Sequence, residues 1–255
     1  SDPKILKKPS HPFQNKLTSS IRLDKVAFHY HPDMPILKDI SLHIKAGEKV
    51  ALVGASGGGK TTLMQILIGL YIPTSGDVYY NEINVKDIGL DVVRENVATV
   101  LQQPALLNDS IRANLTLGRQ HDDDELWRAL QVAQLKETVA EMDKQLDTRV
   151  GRDGVRLSGG QRQRLAIARM IVANPRVVIL DEATSALDTS TENRLHEAMK
   201  AFLKDRTTVV IAHRLSAVKQ ADRVIVFEDG HIVEQGHHDE LIDQQGIYAR
   251  LYQGE

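Results

Sequence analysis

Residues Gly54-Ala55-Ser56-Gly57-Gly58-Gly59-Lys60-Thr61 satisfy the spacing G-x-x-x-x-G-K-[ST] at every fixed position. This set of residue types is suited to cradling a chain of phosphates. Glycines let successive backbone N–H groups turn toward one point, and a helix starting directly afterwards adds positive potential there. In such a loop Lys60 reaches the β- and γ-phosphates of a nucleotide, and the Thr61 hydroxyl is a ligand for Mg²⁺, with bound water completing the shell. A plain glycine-rich turn between a strand and a helix leaves Lys and Thr at both required positions unexplained. A second chemical element, Asp181-Glu182, ends the apolar run Val177-Val178-Ile179-Leu180. Asp181 is suited to holding Mg²⁺ through water, and Glu182 to polarising an attacking water. Alone the pair is weak evidence, because apolar runs ending in Asp-Glu are common where a strand meets a loop. Together the two stretches point to a P-loop nucleotidase without saying which.

Chemistry of this kind needs a strand before the glycine loop and a helix after it. Val50-Ala51-Leu52-Val53 precedes Gly54, and Thr62-Leu63-Met64-Gln65-Ile66-Leu67-Ile68 reads as a buried helix. The uninterrupted apolar runs at Val50–Val53, Val177–Leu180 and Val209–Ala212 are those of strands covered on both faces of a parallel sheet. Ligands in such sheets bind at the carboxyl ends of the strands, where Gly54 and Asp181 fall. Ahead of them, Ile21, Leu23, Val26, Phe28 and Tyr30 alternate with polar residues, as does Leu37–Ile44, which predicts a small antiparallel layer. Residues 105 to 170 are mostly helical in pattern. Asp122-Asp123-Asp124-Glu125 opens one segment, with Leu126, Leu130 and Ala133 on one face; the acidic run fits a helix start better than a protein-binding patch. Val224–Phe227, Asp229-Gly230 and Ile232-Val233 carry a hairpin signature.

The chain has 255 residues, enough for one large domain or two small ones. Its net charge of −2 supplies no global field for a polyanion such as DNA, so phosphate binding must be local. The absence of cysteine excludes disulfides and thiolate metal sites, and fits a reducing compartment. The longest greasy stretch, Leu63–Ile72, falls short of the ~18 to 20 residues a bilayer span needs. Residues 1 to 18, rich in Lys and Pro, begin with Ser1-Asp2-Pro3 and read as a linker or a cloning remnant rather than a signal peptide. His237-His238 has no ligand cluster beside it and reads as surface rather than metal site.

Leu157-Ser158-Gly159-Gly160-Gln161 narrows the field. Ser158 and Gln161 form a capping box, Leu165, Ala168, Ile171 and Val172 trace the helix that follows, and Pro175 stops it. Two glycines in the first turn leave backbone N–H groups unshielded for an anion. With this pentapeptide the chain resembles the nucleotide-binding domain of an ATP-binding cassette (ABC) transporter of the exporter type, over about residues 20 to 252. The resemblance implies a P-loop NTPase (RecA-like) α/β core with a mostly parallel sheet, an N-terminal antiparallel β subdomain and an inserted α-helical subdomain at about 105–170. The domain then spans 19–255, and 1–18 becomes a linker from an upstream membrane domain or a cloning remnant. ATP and Mg²⁺ are the implied ligands. Two copies, or this copy and a related one, are implied to close head to tail around two ATP molecules, each signature loop on the γ-phosphate held by its partner's P-loop.

Other roles follow from the same resemblance. Gly54, Ala55, Ser56, Gly57, Gly58, Gly59, Lys60, Thr61 and Thr62 hold the phosphates. Tyr30 matches the aromatic residue that stacks on adenine. Gln102, rather than its neighbour Gln103, matches the glutamine that senses Mg²⁺ and water. Ser185-Ala186-Leu187-Asp188 matches a loop crossing the dimer interface, next to a plain capping box of Thr189 and Glu192. His213, following the strand Val209–Ala212, matches the switch histidine at the γ-phosphate. Catalysis thus falls to Glu182, His213, Lys60 and Gln102; metal binding to Thr61, Gln102 and Asp181; and contact from the second copy to Ser158, Gly159, Gly160 and Gln161. The sequence departs from the family at Arg149 and Arg152, where Glu is usual, and at Leu107, where Phe is common, near the implied membrane-domain contact. The implied partners are transmembrane domains on the cytoplasmic side of a membrane, with no nucleic acid. The rival reading is a non-transport ABC ATPase of DNA repair, chromosome maintenance or translation, whose usual coiled-coil insertion or second cassette does not appear in these residues.

Overall fold

The computed structural model describes residues 18–55, 59–101, 103–181 and 189–253, with the backbone alone for 189–192. In chain order the elements are β1 (Ile21–His29), β2 (Pro35–Ile44), β3 (Lys49–Gly54), α1 (Lys60–Leu67), β4 (Ser75–Tyr80), β5 (Ile83–Asn84), α2 (Val85–Ile88), α3 (Leu90–Asn96) and β6 (Val97–Val100). A helical stretch follows, with α4 (Ile111–Thr116), α5 (Asp123–Val132), α6 (Lys136–Ala140), a 3₁₀ turn at Gln145–Asp147 and α7 (Gly159–Ala173). The chain then returns through β7 (Val177–Asp181), α8 (Thr189–Leu203), β8 (Thr207–Ile211), α9 (Leu215–Lys219), β9 (Arg223–Glu228), β10 (His231–Gly236), α10 (His238–Asp243) and α11 (Ile247–Tyr252).

Two sheets result. One has the order β2-β1-β4-β5 and is antiparallel throughout, as the alternating N-terminal pattern predicts. The other has the order β10-β9-β3-β8-β7-β6. Its strands from β9 to β6 are parallel, and only β10 runs antiparallel, closing the predicted hairpin on β9. The continuous apolar runs are explained by cover on both faces. Along β3, Val50 and Leu52 point into a core shared with α1 and the antiparallel layer, while Ala51 and Val53 point into one shared with Tyr248 and Tyr252 of α11. Along β8, Val209 and Ile211 divide from Val210 and Ala212 in the same way, the period of two that a pleated strand imposes.

The helical stretch has its own core. Leu126, Ala129, Leu130 and Ala133 pack with Leu165 and Ala168 of α7, joined by Val100, Ile111 and Val178. The acidic run does open a helix, with Asp122 at its N-cap and Asp123, Asp124 and Glu125 in the first turn. Arg112 bonds Asp123 and, at 3.0 Å, Asp147. Such exposed pairs are screened by water, whereas each large apolar side chain buried contributes roughly 1.5 to 3 kcal/mol, so the seam against α7 is what holds α5. Thr18, placed by sequence at the end of the linker, is tied to the fold: its hydroxyl lies 2.7 Å from that of Thr207 and accepts the N–H of Gly47 at 3.1 Å. The rest of the linker, residues 1–17, lies outside the described residues. Of His237-His238, His238 meets the Tyr248 hydroxyl at 2.6 Å through Nδ1.

Candidate nucleotide-binding site

The parallel register brings three strand ends level. Leu52 pairs with Ile211 across β3 and β8, and Ile211 pairs with Asp181 across β8 and β7. Gly54, Asp181 and, two residues past β8, His213 therefore emerge at one sheet edge, the carboxyl edge at which open α/β sheets bind ligands. Gly54 has φ +145°, and a Cβ there would lie 2.3 Å from the carbonyl oxygen of Phe227 on the adjacent strand. Only glycine lets β3 pass that close and turn away. The chain re-enters at Gly59, the N-cap of α1, where no side chain caps the helix and no acidic residue occupies the first turn. An uncapped N-terminus with its positive end exposed is what an anion needs.

Lys60 is the first residue of α1 and only 8% exposed. Its Nζ donates to the Gly54 carbonyl at 2.6 Å, folding the side chain back along its own loop. Burial lowers its pKa, and the nearby Asp181 carboxylate opposes that shift. His213 Nε2 stands 3.4 Å from Asp181 Oδ1, so the acid has a histidine beside it and the lysine's charge near enough to be felt. Thr61 is exposed in the first turn of α1 and Thr62 buried behind it. A cavity of ≈ 260 Å³ also opens beside Asp181, walled by Gln163 of α7, Leu195 and Met199 of α8, and Arg214. Its lining mixes aliphatic side chains with charged ones, among them Lys49, Lys200 and Arg214.

Ser158, Gly159, Gly160 and Gln161 stand apart from this cluster, at the start of α7 in the helical core. The capping box is formed in full: Ser158 Oγ accepts from Gln161 N at 3.1 Å, and Gln161 Oε1 accepts from Ser158 N at 2.9 Å. The Ser158 hydroxyl, acting there as acceptor, keeps its own proton to donate outward. A Cβ on the exposed Gly159 would meet nothing closer than 4.0 Å, so packing within this chain does not require glycine there. α7 ends on Asn174 in the left-handed conformation, with Pro175 after it.

Tyr30 follows directly on β1 and is 52% exposed. The segment after Gln102 is held by residues the sequence reading missed. Asn114, fully buried, accepts from Leu107 N at 2.8 Å and donates to Leu107 O at 3.1 Å. Arg169 of α7 donates to the Asn114 side chain at 2.9 Å, to Asn114 O at 2.8 Å and to Ala105 O at 2.9 Å. Burial lowers its pKa. Leu107 itself is 46% exposed. Of the two arginine departures, Arg149 donates to Asn108 O at 3.2 Å and lies 3.9 Å from Asp109, and the backbone N–H of Arg152 bonds Asn108 Oδ1 at 3.0 Å. No periodicity announces a buried Asn or a half-buried Arg; the only signal was that Arg169 interrupts the apolar face of α7.

Ser56, Gly57, Gly58, Gln102, Glu182 and Ser185-Ala186-Leu187-Asp188 lie outside the described residues, as do the side chains of Thr189 and Glu192. α8 begins at Thr189.

A strand turning at glycine into an uncapped helix, with an acidic end on β7 and a mostly parallel sheet, defines a P-loop NTPase fold. A family model described as ABC transporter matches residues 37–185, more than half of the chain, and the chain belongs to the ABC transporter family. It is 43% identical over 256 residues to the uncharacterized ABC transporter ATP-binding protein YwjA of Bacillus subtilis (strain 168), matching the whole of this chain and 44% of that one. It is 46% identical over 234 residues, 91% of its length, to 40% of a chain of Staphylococcus aureus (strain NCTC 8325 / PS 47) provisionally named a multidrug export ATP-binding/permease protein. Among solved structures, a bacterial Atm1-family ABC exporter with ATP bound superposes with a TM-score of 0.85 at 37% identity, covering 92% of this chain and 41% of that one. The chain thus spans less than half the length of these relatives, and corresponds to their nucleotide-binding portion. Among the described residues no helix is long and apolar enough to cross a membrane.

Proposed function

We propose that residues 19–255 form one nucleotide-binding domain that binds ATP with Mg²⁺ at the edge of the parallel sheet and hydrolyses it to drive export through transmembrane domains carried elsewhere. The observation that carries this reading is the meeting of Lys60, Gly54, Asp181 and His213 beside the uncapped start of α1. Lys60 leaves the Gly54 carbonyl for the β- and γ-phosphates, exchanging one oxygen acceptor for a charged one. Glu182 accepts a proton from the attacking water, and His213, anchored near Asp181, donates toward the γ-phosphate. Tyr30 stacks on adenine, and Ser56, Gly57 and Gly58 complete the phosphate loop.

The donors available for Mg²⁺, the exposed Thr61 hydroxyl and the Asp181 carboxylate with Gln102, are hard oxygens, the ligand type this ion prefers. Held there, Mg²⁺ would supply positive charge against the charge that develops on the transferred phosphoryl group.

Ser158, Gly159, Gly160 and Gln161 serve the nucleotide of a second copy, whose signature serves this one in return. Exposure of Ser158 and Gly159, and a glycine that packing does not demand, support that arrangement. The helical stretch at about 105–170 is the inserted subdomain, residues 1–18 the linker, and the domain lies on the cytoplasmic face of the membrane that holds its transmembrane partners. The names of the relatives support export as the coupled work.

The test is Glu182→Gln, assayed by phosphate release and sedimentation with ATP and Mg²⁺. Turnover falls by roughly 10² to 10⁴ and an ATP-dependent dimer accumulates; an unimpaired rate removes Glu182 from the reaction.

A further inference from the structure

Tyr30 is one corner of a three-ring cluster. Phe28, buried in β1, meets the Tyr30 ring with centroids 4.8 Å apart and planes at 89°. Tyr71 arrives from a different element. After α1 the chain turns back on itself, with Leu70 N bonded to Gln65 O at 2.9 Å, and sets Tyr71 5.7 Å from Tyr30 at 85° and 5.6 Å from Phe28. Near-perpendicular rings at these separations are the favoured aromatic geometry.

This triangle is not ordinary core. Tyr80 and Tyr248 are completely buried, whereas Tyr71 is 37% and Tyr30 52% exposed. Nor is it a random surface patch, because it is tied to the phosphate end. Tyr30 has a raised pKa, from burial first and then the Tyr71 hydroxyl, with the Thr62 hydroxyl acting against them. Thr62 lies two residues beyond Lys60 on α1, and Tyr71 hangs from the far end of the same helix. The helix that presents its N-terminus to phosphate thus also braces the ring read as the base platform. Stacking gains most when the ring's plane is fixed before the base arrives, because the ordering cost has already been met.

The geometry points to Tyr71 as a positioning residue for purine recognition: it holds the Tyr30 ring in place for adenine without itself stacking on the base. This rests on the proposed reading of Tyr30.

The test uses the whole chain with Mg²⁺ and two ligands, ATP and inorganic tripolyphosphate, the second having phosphates but no base. Affinities are measured by titration calorimetry for the wild type, Tyr30→Ala, Tyr71→Ala, Tyr71→Phe and the Tyr30→Ala/Tyr71→Ala double variant. Tyr71→Ala is expected to weaken ATP about 3- to 10-fold and leave tripolyphosphate within about twofold, while Tyr71→Phe, which keeps the ring, stays near wild type. The double variant binds ATP no more weakly than Tyr30→Ala, because Tyr71 acts through Tyr30. Equal weakening of both ligands by Tyr71→Ala assigns it a merely structural role and overturns the proposal. So does an additive double variant, which makes Tyr71 an independent contact, or a Tyr71→Ala that binds ATP normally while Tyr30→Ala does not. If Tyr30→Ala itself binds ATP normally, the platform reading fails, and the role of Tyr71 with it.

Discussion

The sheet edge around Lys60 and the start of α7 both offer a helix N-terminus to an anion, yet they are finished in opposite ways. At α1 no side chain caps the helix; a buried lysine rests on the loop's own carbonyl, and Asp181 and His213 are close by. At α7 the capping box is complete, Ser158 and Gly159 are exposed, and both capping bonds run between Ser158 and Gln161. The first end leaves its helix N-terminus without a side-chain cap, which suits a bound anion. The second is self-sufficient within the chain, which leaves its glycines and the Ser158 proton for something outside it. This difference is what the proposed site shared between two copies requires of each one.

The strongest way to break the comparison is to disable each end separately. Lys60→Met and Ser158→Arg are each expected to cut ATP turnover by about 10² to 10³, the range for losing one positioned donor to developing charge. Mixed in equal amounts, the two dead proteins should recover about a quarter of wild-type activity, because half of the pairs are mixed and each has one intact site of two. No recovery in the phosphate-release assay would place both ends in service of the same chain's nucleotide.

A smaller effect separates capping from catalysis. Ser110 caps α4 as Ser158 caps α7, accepting from Ala113 N at 3.0 Å. Replacing either by Ala should cost about 1 kcal/mol in urea denaturation. Only Ser158→Ala should also lower turnover, by about 10-fold or more, the cost of a hydrogen bond to a charged group. Equal turnover losses in the two variants would reduce the signature to a helix cap.

The smallest effect is a proton. Lys60 has a lowered pKa when no phosphate is near, chiefly through burial. Phosphates arriving beside it raise that pKa. Well below the lowered value the amine is already charged and no proton moves; as pH climbs through it, ATP binding takes up a fraction of a proton and affinity declines. Calorimetry at alkaline pH in two buffers of different ionisation enthalpy should detect the uptake, and Lys60→Met should abolish it. Uptake that persists in Lys60→Met would belong to another group.

Local pattern carried much of this site. The strand before Gly54, the helix after Gly59, the capping box, the Pro175 stop and the β9–β10 hairpin were all legible because each depends on residues a few positions apart. Asn114 and Arg169 were not: a buried Asn and a half-buried Arg look polar in sequence, and the carbonyls they serve come from Ala105 and Leu107 across a tertiary contact. Tyr71 was invisible for the same reason, since its partner Tyr30 comes from the end of β1, far away in the chain. Thr18 looked like linker because nothing in a Lys- and Pro-rich stretch foretells a hydroxyl shared with Thr207.

Spacing along the chain is enough to say which groups could do chemistry, because a phosphate loop, a capping box and an acidic strand end are short-range constructions set by backbone freedom. Which of them meet is a matter of long-range packing. The order β10-β9-β3-β8-β7-β6 sets β8 between β3 and β7, although the chain runs from β3 through a whole helical stretch before reaching either. That order is chosen by burying two apolar faces at once. It brings Gly54, Asp181 and His213 together and leaves Ser158 on a separate core, facing out.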